Sequence, residues 1–400
     1  MKRTTLICIF LAVLLALPVF AEKVAMPPLA MPTVASNGFG GTHVAYTDNV
    51  FSLLVNPAAM IRVQQRSFFT LSPSLMSPQN TFKLARPIVD VAKGDTSALG
   101  NMANTLSKQE GKIALGFELR EFPFSFAWVA NGFGFGLWDR IFVNANIVGT
   151  TVEAHVYSDV MLPIGFAFRI LNLERHSLDA GIAIKPFLRA RAQEQMKIMS
   201  LMDNDNDFDF KVPLILGGGL DLGLLYRWKI GLQAGLTFDD VFSRGTVVKN
   251  IIGKDNNSYY IPFAMNLGLS YSFKLAFLGF TLAADWRDMT NAFKQDDYLN
   301  HRNVALDFGI GLQLSLFDIG YLRVGMNEML PACGLGLNLG ACKIDFAYYG
   351  REFGNEPGQL SVATMELSIA IRPGAKKRDW IWTRRSLVGL FTGAEYIPSE

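Results

Sequence analysis

From residue 162 onward, apolar residues alternate with small or polar residues at a period of two, in one stretch after another. Successive side chains of a β-strand point to opposite faces of a sheet, so each stretch predicts a strand with one apolar face. The opposite faces carry glycine, alanine and scattered charge, which is typical of a strand between lipid and a confined, partly wet interior. The clearest apolar faces contain Leu306, Phe308, Ile310, Leu312, Leu314 and Leu316, and Phe263, Met265, Leu267, Leu269, Tyr271, Phe273 and Leu275.

The length of the apolar runs decides how such strands could meet a membrane. After residue 21 no run approaches the ~20 consecutive apolar residues of a membrane-spanning helix. Strands inside a bilayer must close on themselves, because an open edge leaves backbone groups without hydrogen-bond partners. The sequence therefore predicts an all-β protein, a transmembrane antiparallel β-barrel. Candidate strands lie near 67–75, 112–119, 122–130, 133–148, 153–171, 176–198, 208–227, 229–243, 259–275, 277–289, 302–316, 319–329, 333–340, 342–350 and 360–372.

The number of candidate strands is about fifteen, and bacterial single-chain barrels have even numbers, so we predict 14 strands within a range of 12 to 16. Several candidates exceed the ~9–11 residues that cross a bilayer, and we expect them to project beyond it on one side. Hydrophobic residues make up 50% of the 400 and charged residues 18%, between the values of soluble and helical membrane proteins. The net charge of +2 gives no sign of nucleic-acid binding.

The first residues have the order of a secretory signal peptide. Two basic residues precede an apolar run from Leu6 to Val19, and small residues follow at the predicted cleavage site after Ala21. The apolar run of about 14 residues is shorter than a membrane span. We predict that residues 1–21 are removed and that the mature chain begins at Glu22.

Three further segments do not alternate. Residues 22–66 are rich in proline and turn signals and predict a compact piece ahead of a barrel at 67–373. Residues 84–110 place apolar side chains at helical spacing and predict two short helices inserted in a loop. The tail at 374–400 is basic and contains two tryptophans. It suits an interfacial anchor or a partner-binding tail, or it contains a closing strand near 387–397.

Charged residues of both signs share the predicted inward face of the strands. Lys185, Arg189 and Arg191 lie on that face by parity. Mixed signs favour cross-strand pairs that hold a filled lumen together over an ion filter, which needs a ring of like charge. Glycines on the same face leave room for another backbone or for a ligand: Gly217, Gly219, Gly223, Gly309 and Gly311.

The segment ahead of the barrel carries a two-part motif. Residues 38–49 read GFGGTHVAYTDN, and residues 54–61 read LVNPAAMI. They resemble the FadL family of long-chain fatty acid transporters, in which a Gly/Ala-rich segment, an A-x-x-D-(D/N) step and N-P-A begin an N-terminal hatch. Many members have glycine after N-P-A, where this chain has Ala59. The matching residues are Gly38, Gly40, Gly41, Ala45, Asp48, Asn49, Asn56, Pro57 and Ala58.

The resemblance implies a barrel with a hatch, or plug, at 22–66, in the outer membrane of a Gram-negative or other diderm bacterium. It implies uptake of long-chain fatty acids or other hydrophobic molecules: capture outside, transfer to a lumen site, hatch movement and release, often sideways into the bilayer. Outer-membrane lipids and the barrel-assembly machinery are the expected partners. We expect a monomer without cofactors and without nucleic-acid partners.

A carboxylate ligand would suit the inward arginines, because guanidinium binds carboxylate bidentately. We therefore expect Arg189 or Arg191, with Lys185 beside them, to bind the ligand. Two other functions stay open. Some FadL-like barrels serve in secretion or docking, which the basic tail would suit, and a general porin is the other alternative, which a hatch disfavours.

Alternate aspartates occur at Asp203, Asp205, Asp207 and Asp209, a spacing that Ca²⁺ sites use. The segment lacks the turn glycine and the distal glutamate of an EF-hand, and a solvated hairpin loop explains the same pattern. We expect no metal there. The four histidines show no ligand spacing, and no G-x-S-x-G, H-E-x-x-H or Walker sequence is present, so we expect no enzymatic activity.

Overall fold

The computed structural model describes most of the predicted barrel and much of the segment ahead of it. Four predicted features lie outside the described residues: the signal peptide at 1–21, the helical insertion at 84–110, the aspartates at 203–209 and the tail at 374–400. The described residues are 23–29, 31–47, 49–63, 74–78, 112–121, 125–148, 151–197, 211–293, 302–340 and 342–371.

The described ranges contain short helical segments and many strands. Helix α1 is Val34–Gly38, helix α2 is Ser52–Val55, and 3-10 helices lie at Pro57–Arg62, Met289–Phe293 and Val304–Asp307. The strands are β1 Lys23–Ala25, β2 Ser74–Pro78, β3 Lys112–Arg120, β4 Phe126–Ala130, β5 Phe133–Val148, β6 Thr151–Met161, β7 Ile164–Asn172, β8 His176–Lys197, β9 Val212–Trp228, β10 Leu232–Ile252, β11 Ser258–Tyr260, β12 Ala264–Leu275, β13 Leu278–Trp286, β14 Phe308–Leu316, β15 Gly320–Asn327, β16 Leu330–Asn338, β17 Cys342–Glu352 and β18 Ser361–Ile371.

Antiparallel ladders join these strands into a closed wall. β9 pairs with β10 and β18 pairs with β2, so the series of neighbours returns to its start. We call one pass of the chain across the wall a crossing, and at three places a crossing consists of two consecutive strands that share one neighbour. The strands β3 and β4 share β5. The strands β6 and β7 share β8, and the strands β11 and β12 share β10. With each counted once, and without β1, which pairs in parallel with β11, the described residues form 14 crossings. The predicted barrel of about 14 strands is confirmed.

The outer surface of the wall is apolar, as the alternation predicted. Along β14, Phe308 and Ile310 are exposed, whereas Gly309 and Gly311 between them are buried. A contiguous apolar exterior of this extent is rare on soluble monomers and is the surface that a lipid-facing barrel needs. No described helix is long and apolar enough to cross a membrane. Further exposed residues on β12 are Leu267, Leu269, Tyr271, Phe273 and Leu275.

Several predicted strand boundaries are wrong for identifiable reasons. The candidate at 302–316 begins only at Phe308, because the Asn303 side chain caps a 3-10 helix in which Leu306 is buried rather than facing lipid. The candidate at 153–171 is interrupted at Pro163, whose nitrogen has no hydrogen to donate to a ladder. Of the candidate at 122–130, residues 122–124 lie outside the described residues, and the described part is a strand from Phe126 to Ala130.

β10 extends to Ile252, beyond the predicted end at residue 243, and contains a β-bulge. Its register with β9 shifts between Phe238 and Phe242, and Asp240 has a φ of 51°. The step from Phe238 to Phe242 spans four positions on β10 against two on β9, from Leu222 to Leu220, so the bulge contains two extra residues and interrupts the alternation. Asp240 is therefore buried inside the wall, where strict alternation would place only Asp239.

The two ends of the barrel differ. Outer-membrane barrels have short periplasmic turns and longer extracellular loops, which orients the wall. β8 and β10 contain 22 and 21 residues against 9 in β14 and 8 in β15, so the wall is taller along β8 and β10 than along β14 and β15. One end has connections at 131–132, 173–175, 229–231, 276–277, 317–319 and 339–341, and the other, which includes all the long ones, has connections at 79–111, 149–150, 198–211, 253–257, 287–307, 328–329 and 353–360.

Candidate functional site

Residues 26–63 lie inside the wall, and we call them the plug. Leu53 and Met60 of the plug are completely buried, and they share one apolar core with wall residues such as Trp138 and Phe187. The segment that carries the hatch motif is therefore packed within the barrel. Further members of this core are Met26, Leu29, Met31, Val50, Leu54, Met161 and Ile215.

The glycine-rich part of the motif forms a tight turn against the wall. α1 is capped at its start by Thr33, whose Oγ1 accepts a hydrogen bond from Ser36 N at 3.1 Å. It ends just before Gly40 and Gly41, which have φ of 71° and 75°, a conformation that costs glycine little. A Cβ on Gly40 would lie 2.0 Å from the carbonyl oxygen of Ile310 in β14. Glycine is what lets the chain turn this close to the wall.

Glycines of the wall are also in close contact with the plug backbone. A Cβ on Gly311 would lie 2.2 Å from the Phe39 carbonyl oxygen, and one on Gly181 would lie 2.3 Å from the Pro57 carbonyl carbon. We call residues 38–59 the seated stretch because these glycines form its seat. A Cβ added to any of six further wall glycines would also lie within 3.0 Å of a plug atom: Gly223, Gly235, Gly268, Gly309, Gly325 and Gly334.

The glycines predicted to leave room divide into two groups. Gly223, Gly309 and Gly311 face the seated stretch, as described above. Gly217 and Gly219 instead face wall side chains, those of Phe187 and Asp240. The space that these glycines leave on the inward face is therefore occupied by the plug or by other wall side chains.

Asn56 joins the plug to itself and to the wall. Its Nδ2 donates to the carbonyl oxygens of Val44 at 2.9 Å and Leu224 at 3.3 Å. Its Oδ1 accepts from Ala58 N at 3.1 Å and so caps the 3-10 helix that begins with Pro57. The N-P-A part of the motif is a fully buried staple, because one side chain satisfies three backbone groups.

A wall carboxylate binds the two residues just ahead of the A-x-x-D-(D/N) step at 45–49. Asp285 Oδ2 on β13 accepts hydrogen bonds from His43 N at 2.6 Å and from Val44 N at 2.9 Å. Asn49 Oδ1 accepts from Phe51 N at 2.9 Å ahead of α2, whereas Asp48 lies outside the described residues. Burial lowers the pKa of His43 below its ordinary value, so the ring is neutral at pH 7.

A row of charged side chains crosses four neighbouring strands. Arg120, Arg140, Asp159 and Arg189 lie directly opposite one another on β3, β5, β6 and β8, and we call them the arginine row. Asp159 Oδ1 accepts from Arg189 Nε at 2.6 Å, and its Oδ2 accepts from Arg140 Nη2 at 2.6 Å. All four residues are buried, so these are charge-assisted bonds in a region of low dielectric.

The arginine row also holds the start of the plug. Arg189 Nη1 donates to the Pro27 carbonyl oxygen at 2.7 Å, and Arg140 Nη2 donates to that of Pro28 at 3.4 Å. Arg120 Nη1 donates to the Pro32 carbonyl oxygen. We call residues 26–32 the proline stretch; Ala30 within it lies outside the described residues. One arginine from each of three strands thus binds a carbonyl of this stretch.

The predicted ligand-binding residues have different surroundings. Lys185 Nζ lies 2.7 Å from Asp221 Oδ2 and 3.4 Å from Asp240 Oδ2, and Arg189 is buried between Asp159 and the proline stretch. Arg191 is half-buried and donates to Gln193, and its Nε has no hydrogen-bond partner. Among the three, Arg191 is therefore the cation most accessible to a ligand.

Arg191 lies among rings toward the extracellular end of the lumen. Its guanidinium carbon is 5.8 Å from the ring centroid of Tyr259, and Tyr157 lies opposite it in the β6–β8 ladder. Phe142 and Tyr157 stack with centroids 5.6 Å apart, and His155 Nδ1 lies 2.9 Å from the Tyr157 hydroxyl. We call these five residues the aromatic layer. Rings around one guanidinium can hold an apolar body and orient an anionic head group.

Several residues of the site were not found from the sequence. Arg120, Arg140 and Asp159 have the parity of the buried face, and their alternation with apolar neighbours was the available signal. Arg62 was also missed; its Nε lies 2.8 Å from Asp179 Oδ2 and ties the end of the plug to β8. Among the residues that the structure describes, no group of His, Cys, Asp or Glu side chains is placed to hold a metal ion.

Comparison with known proteins gives structural matches. No family profile and no curated protein matches the sequence. The crystal structure of the P. putida toluene transporter TodX is 11% identical over 84% of this chain and 97% of its own, with a TM-score of 0.46. A Pseudomonas aeruginosa FadL homologue is 11% identical over 87% and 99%, with a TM-score of 0.45. The chain is similar to FadL-type channels.

A third FadL-type match is a TodX mutant described as a monoaromatic hydrocarbon channel, which is 13% identical over 85% of this chain and 98% of its own, with a TM-score of 0.48. Because each of these TM-scores is below 0.5, we base the function on the geometry of the plug and the wall.

Proposed function

We propose that this chain is an outer-membrane channel that takes up hydrophobic small molecules, long-chain fatty acids among them. The observation that carries the proposal is a lumen filled by the chain's own plug inside a wall with an apolar exterior. Leu53, Ala58 and Met60 of the plug are fully buried against the wall. A lumen filled by packed apolar side chains favours solutes that leave water readily, because apolar sites hold apolar ligands and exclude strongly hydrated ones.

The aromatic layer is the proposed first binding site. It lies toward the extracellular end of the lumen, where Tyr259 shares the core of the plug, and its rings would hold an apolar body. Arg191 would bind a carboxylate head, since its Nε is unpaired and guanidinium matches carboxylate geometry. Arg189 and Lys185, which are engaged with Asp159 and with Asp221, would act as the deeper cations of the same path.

The plug is the proposed hatch. Passage of a ligand requires part of it to leave the wall, and the motif residues Gly38–Asn49 and Asn56–Ala58 would define its shape. We further propose that the protein works as a monomer among outer-membrane lipids and is inserted by the barrel-assembly machinery. These proposals follow from the resemblance of the motif to the FadL family.

The two alternatives have less support. A general porin needs a wide aqueous path, which the packed plug opposes. A docking or secretion role drew on the basic tail at 374–400, which lies outside the described residues.

Uptake into liposomes that contain the purified full chain tests the proposal. We expect accumulation of dodecanoate above empty liposomes and no accumulation of small sugars. Arg191→Gln should reduce dodecanoate uptake about tenfold at low concentration, as expected for a lost charge-assisted pair, and should spare uncharged 1-dodecanol. The matched control is Arg169→Gln, because Arg169 lies at the periplasmic end of β7 and pairs with Asp179. Sugar passage, or the absence of any hydrophobic flux, would reject the channel.

A further inference from the structure

The outer face of the wall continues past its short strands on one side of the barrel. β10 pairs with β12 only as far as Asp239, and beyond that level it pairs with β9 and with β11. We call the outer face of β9, β10 and β11 on the extracellular side of Gly218 the tall flank. Its side chains point away from the lumen, because Gly245 and Tyr259, which lie between them along the strands, face the core of the plug.

The level of Gly218 lies at the outer limit of the lipid hydrocarbon. Trp228 is exposed at the periplasmic end of β9, and tryptophan at a strand end is typical of the membrane interface. Gly218 is about ten residues farther along β9, which is ~33 Å along a strand. For a tilt of about 40° this is ~25 Å along the membrane normal, the height of the apolar band of such barrels. Arg244 lies opposite Gly218 and is therefore at the level of lipid head groups.

Among the described residues, every charged side chain of the tall flank and its rim is basic. Lys249 lies on the same face as Arg244, opposite Leu214, and is ~13 Å farther out along the strand. Lys211 and Lys254 are exposed next to the extracellular ends of β9 and β10. The acidic residues of the three strands and their connections face the lumen or are buried: Asp221, Asp239, Asp240 and Asp255.

The tall flank also exposes apolar side chains beyond the level of the hydrocarbon. Leu216, Val248 and Ile252 each expose about half of their surface. Apolar side chains that form a patch outside the bilayer are typical of a surface that another molecule covers. Since cations lie between them, the molecule that covers them must be anionic.

The charge and its spread in depth distinguish the candidate occupants. A symmetric contact with a second copy would bring the same patch against itself, so cations would oppose cations. A phospholipid carries its phosphate at one depth and would reach Arg244 but not Lys249. A lipid whose saccharide head group carries several phosphates has anions at several depths, and guanidinium and ammonium groups bind phosphate through charge-assisted bonds.

We propose that the tall flank binds a lipid of the outer leaflet whose saccharide head group carries several phosphates. The lowest phosphate binds Arg244, and phosphates farther out bind Lys249 and the lysines of the rim. The acyl chains lie along the apolar face below, where Leu222 and Phe242 are exposed. This inference rests on the proposed placement of the chain among outer-membrane lipids, and not on which solute passes through the lumen.

Lipid binding to the purified full chain in neutral detergent tests the proposal. The lipids are fluorescently labelled lipopolysaccharide with a phosphorylated core, the same lipopolysaccharide after chemical removal of its phosphates, and phosphatidylglycerol, which has one phosphate. We expect the first to bind about tenfold more tightly than either of the others, the effect of losing one or two charge-assisted bonds. Its affinity should fall as the salt concentration rises from about 0.05 M to about 0.5 M, because salt screens surface charges.

Variants assign the binding to the tall flank. Arg244→Gln combined with Lys249→Gln removes cations at two depths and should weaken lipopolysaccharide binding about tenfold. The matched control is Lys229→Gln, because Lys229 is an exposed cation in the turn at the periplasmic end of the same two strands, and its affinity should be unchanged. Should the double variant not fold, Lys249→Gln combined with Lys254→Gln takes its place.

The outcomes separate this inference from the proposed function. Equal affinity in the double variant and in the control, or equally tight binding of either comparison lipid, overturns the lipid site and leaves the channel intact. Particles that contain two chains, and that the double variant separates into single chains, would assign the face to a second copy and also overturn it. Selective lipopolysaccharide binding without any dodecanoate uptake into liposomes rejects the channel and leaves the lipid site standing.

Discussion

Within the plug, the proline stretch and the seated stretch meet the same wall by different chemistry. The seated stretch brings its main chain against glycines, so that a Cβ on Gly311 would lie 2.2 Å from Phe39 O. The main chain of the proline stretch is instead reached by long arginine side chains that donate to its carbonyls. Backbone seating is fixed by shape, whereas side-chain bonds can be exchanged for bonds to another acceptor. The first contact suits a permanent part and the second a movable one.

The largest expected effect comes from adding a side chain to a glycine of the seated stretch where it contacts the wall. Gly40→Ala adds a methyl group 2.0 Å from Ile310 O at a φ of 71°. The left-handed backbone and the overlap together should lower the free energy of unfolding by about 3 kcal/mol. Gly358 has a similar φ of 80° with nothing within 4 Å, so Gly358→Ala should cost only about 1 kcal/mol. Denaturant unfolding compares the two, and equal losses would show that the seat is not tightly packed.

A smaller effect is expected from removing the staple of the seated stretch. Asn56→Ala leaves the carbonyls of Val44 and Leu224 without this donor, at a cost of about 2 kcal/mol for buried groups. Asn303→Ala removes a similar cap from a 3-10 helix outside the plug and should cost about 1 kcal/mol. Hydrogen exchange in residues 44–62 should rise for the first variant alone.

The end of the plug should be less sensitive. Arg62 pairs with Asp179, but its side chain is 26% exposed, so solvent screens the pair. Arg62→Gln should cost about 1 kcal/mol or less, because Asp179 keeps Arg169 at 2.8 Å. Unfolding in denaturant measures the loss. A cost as large as that of Gly40→Ala would mean that this side-chain anchor, and not the glycine seat, fixes the plug.

The smallest expected effect is a pH dependence of the seated stretch. The pKa of His43 is lowered by burial, so the folded chain resists a proton that the unfolded chain accepts below pH 6.5. The stability from the neutral ring is complete above that value and is lost as pH falls through the lower pKa of the folded state. Exchange in residues 38–47, corrected for its intrinsic pH dependence, should therefore rise between pH 7.5 and 5.5. His43→Gln should remove the change.

Much of the wall could be predicted from the sequence because lipid imposes a strict period of two. The candidate at 133–148 has the bounds of β5, and the exposed face of β14 from Phe308 onward was predicted residue by residue. The prediction failed where extra residues break the period, as at the bulge that turns Asp240 inward. It also failed at Leu306, since an apolar side chain buried in a 3-10 helix is indistinguishable by parity from one facing lipid.

The site was less predictable than the wall. Arg189 and Arg191 were chosen together from parity, yet their surroundings differ because Arg189 lies opposite Asp159 and Arg191 opposite Tyr157. Strand register decides that difference, and register depends on turns and bulges that alternation does not report. The contact of Arg140 with the Pro28 carbonyl was likewise beyond reach, because it joins segments that are 112 positions apart in the sequence.

The ladders of β2 bear on how the molecule is assembled. Within the described residues β2 has five pairs with β18 and three with β3, whereas β17 and β18 share eleven. The plug precedes β2 in the chain and touches glycines on strands from β5 to β16. A segment gripped on so many sides cannot be threaded into a finished cylinder. Residues 26–63 must therefore already be inside when the last strand arrives, which makes the plug the form around which the barrel closes.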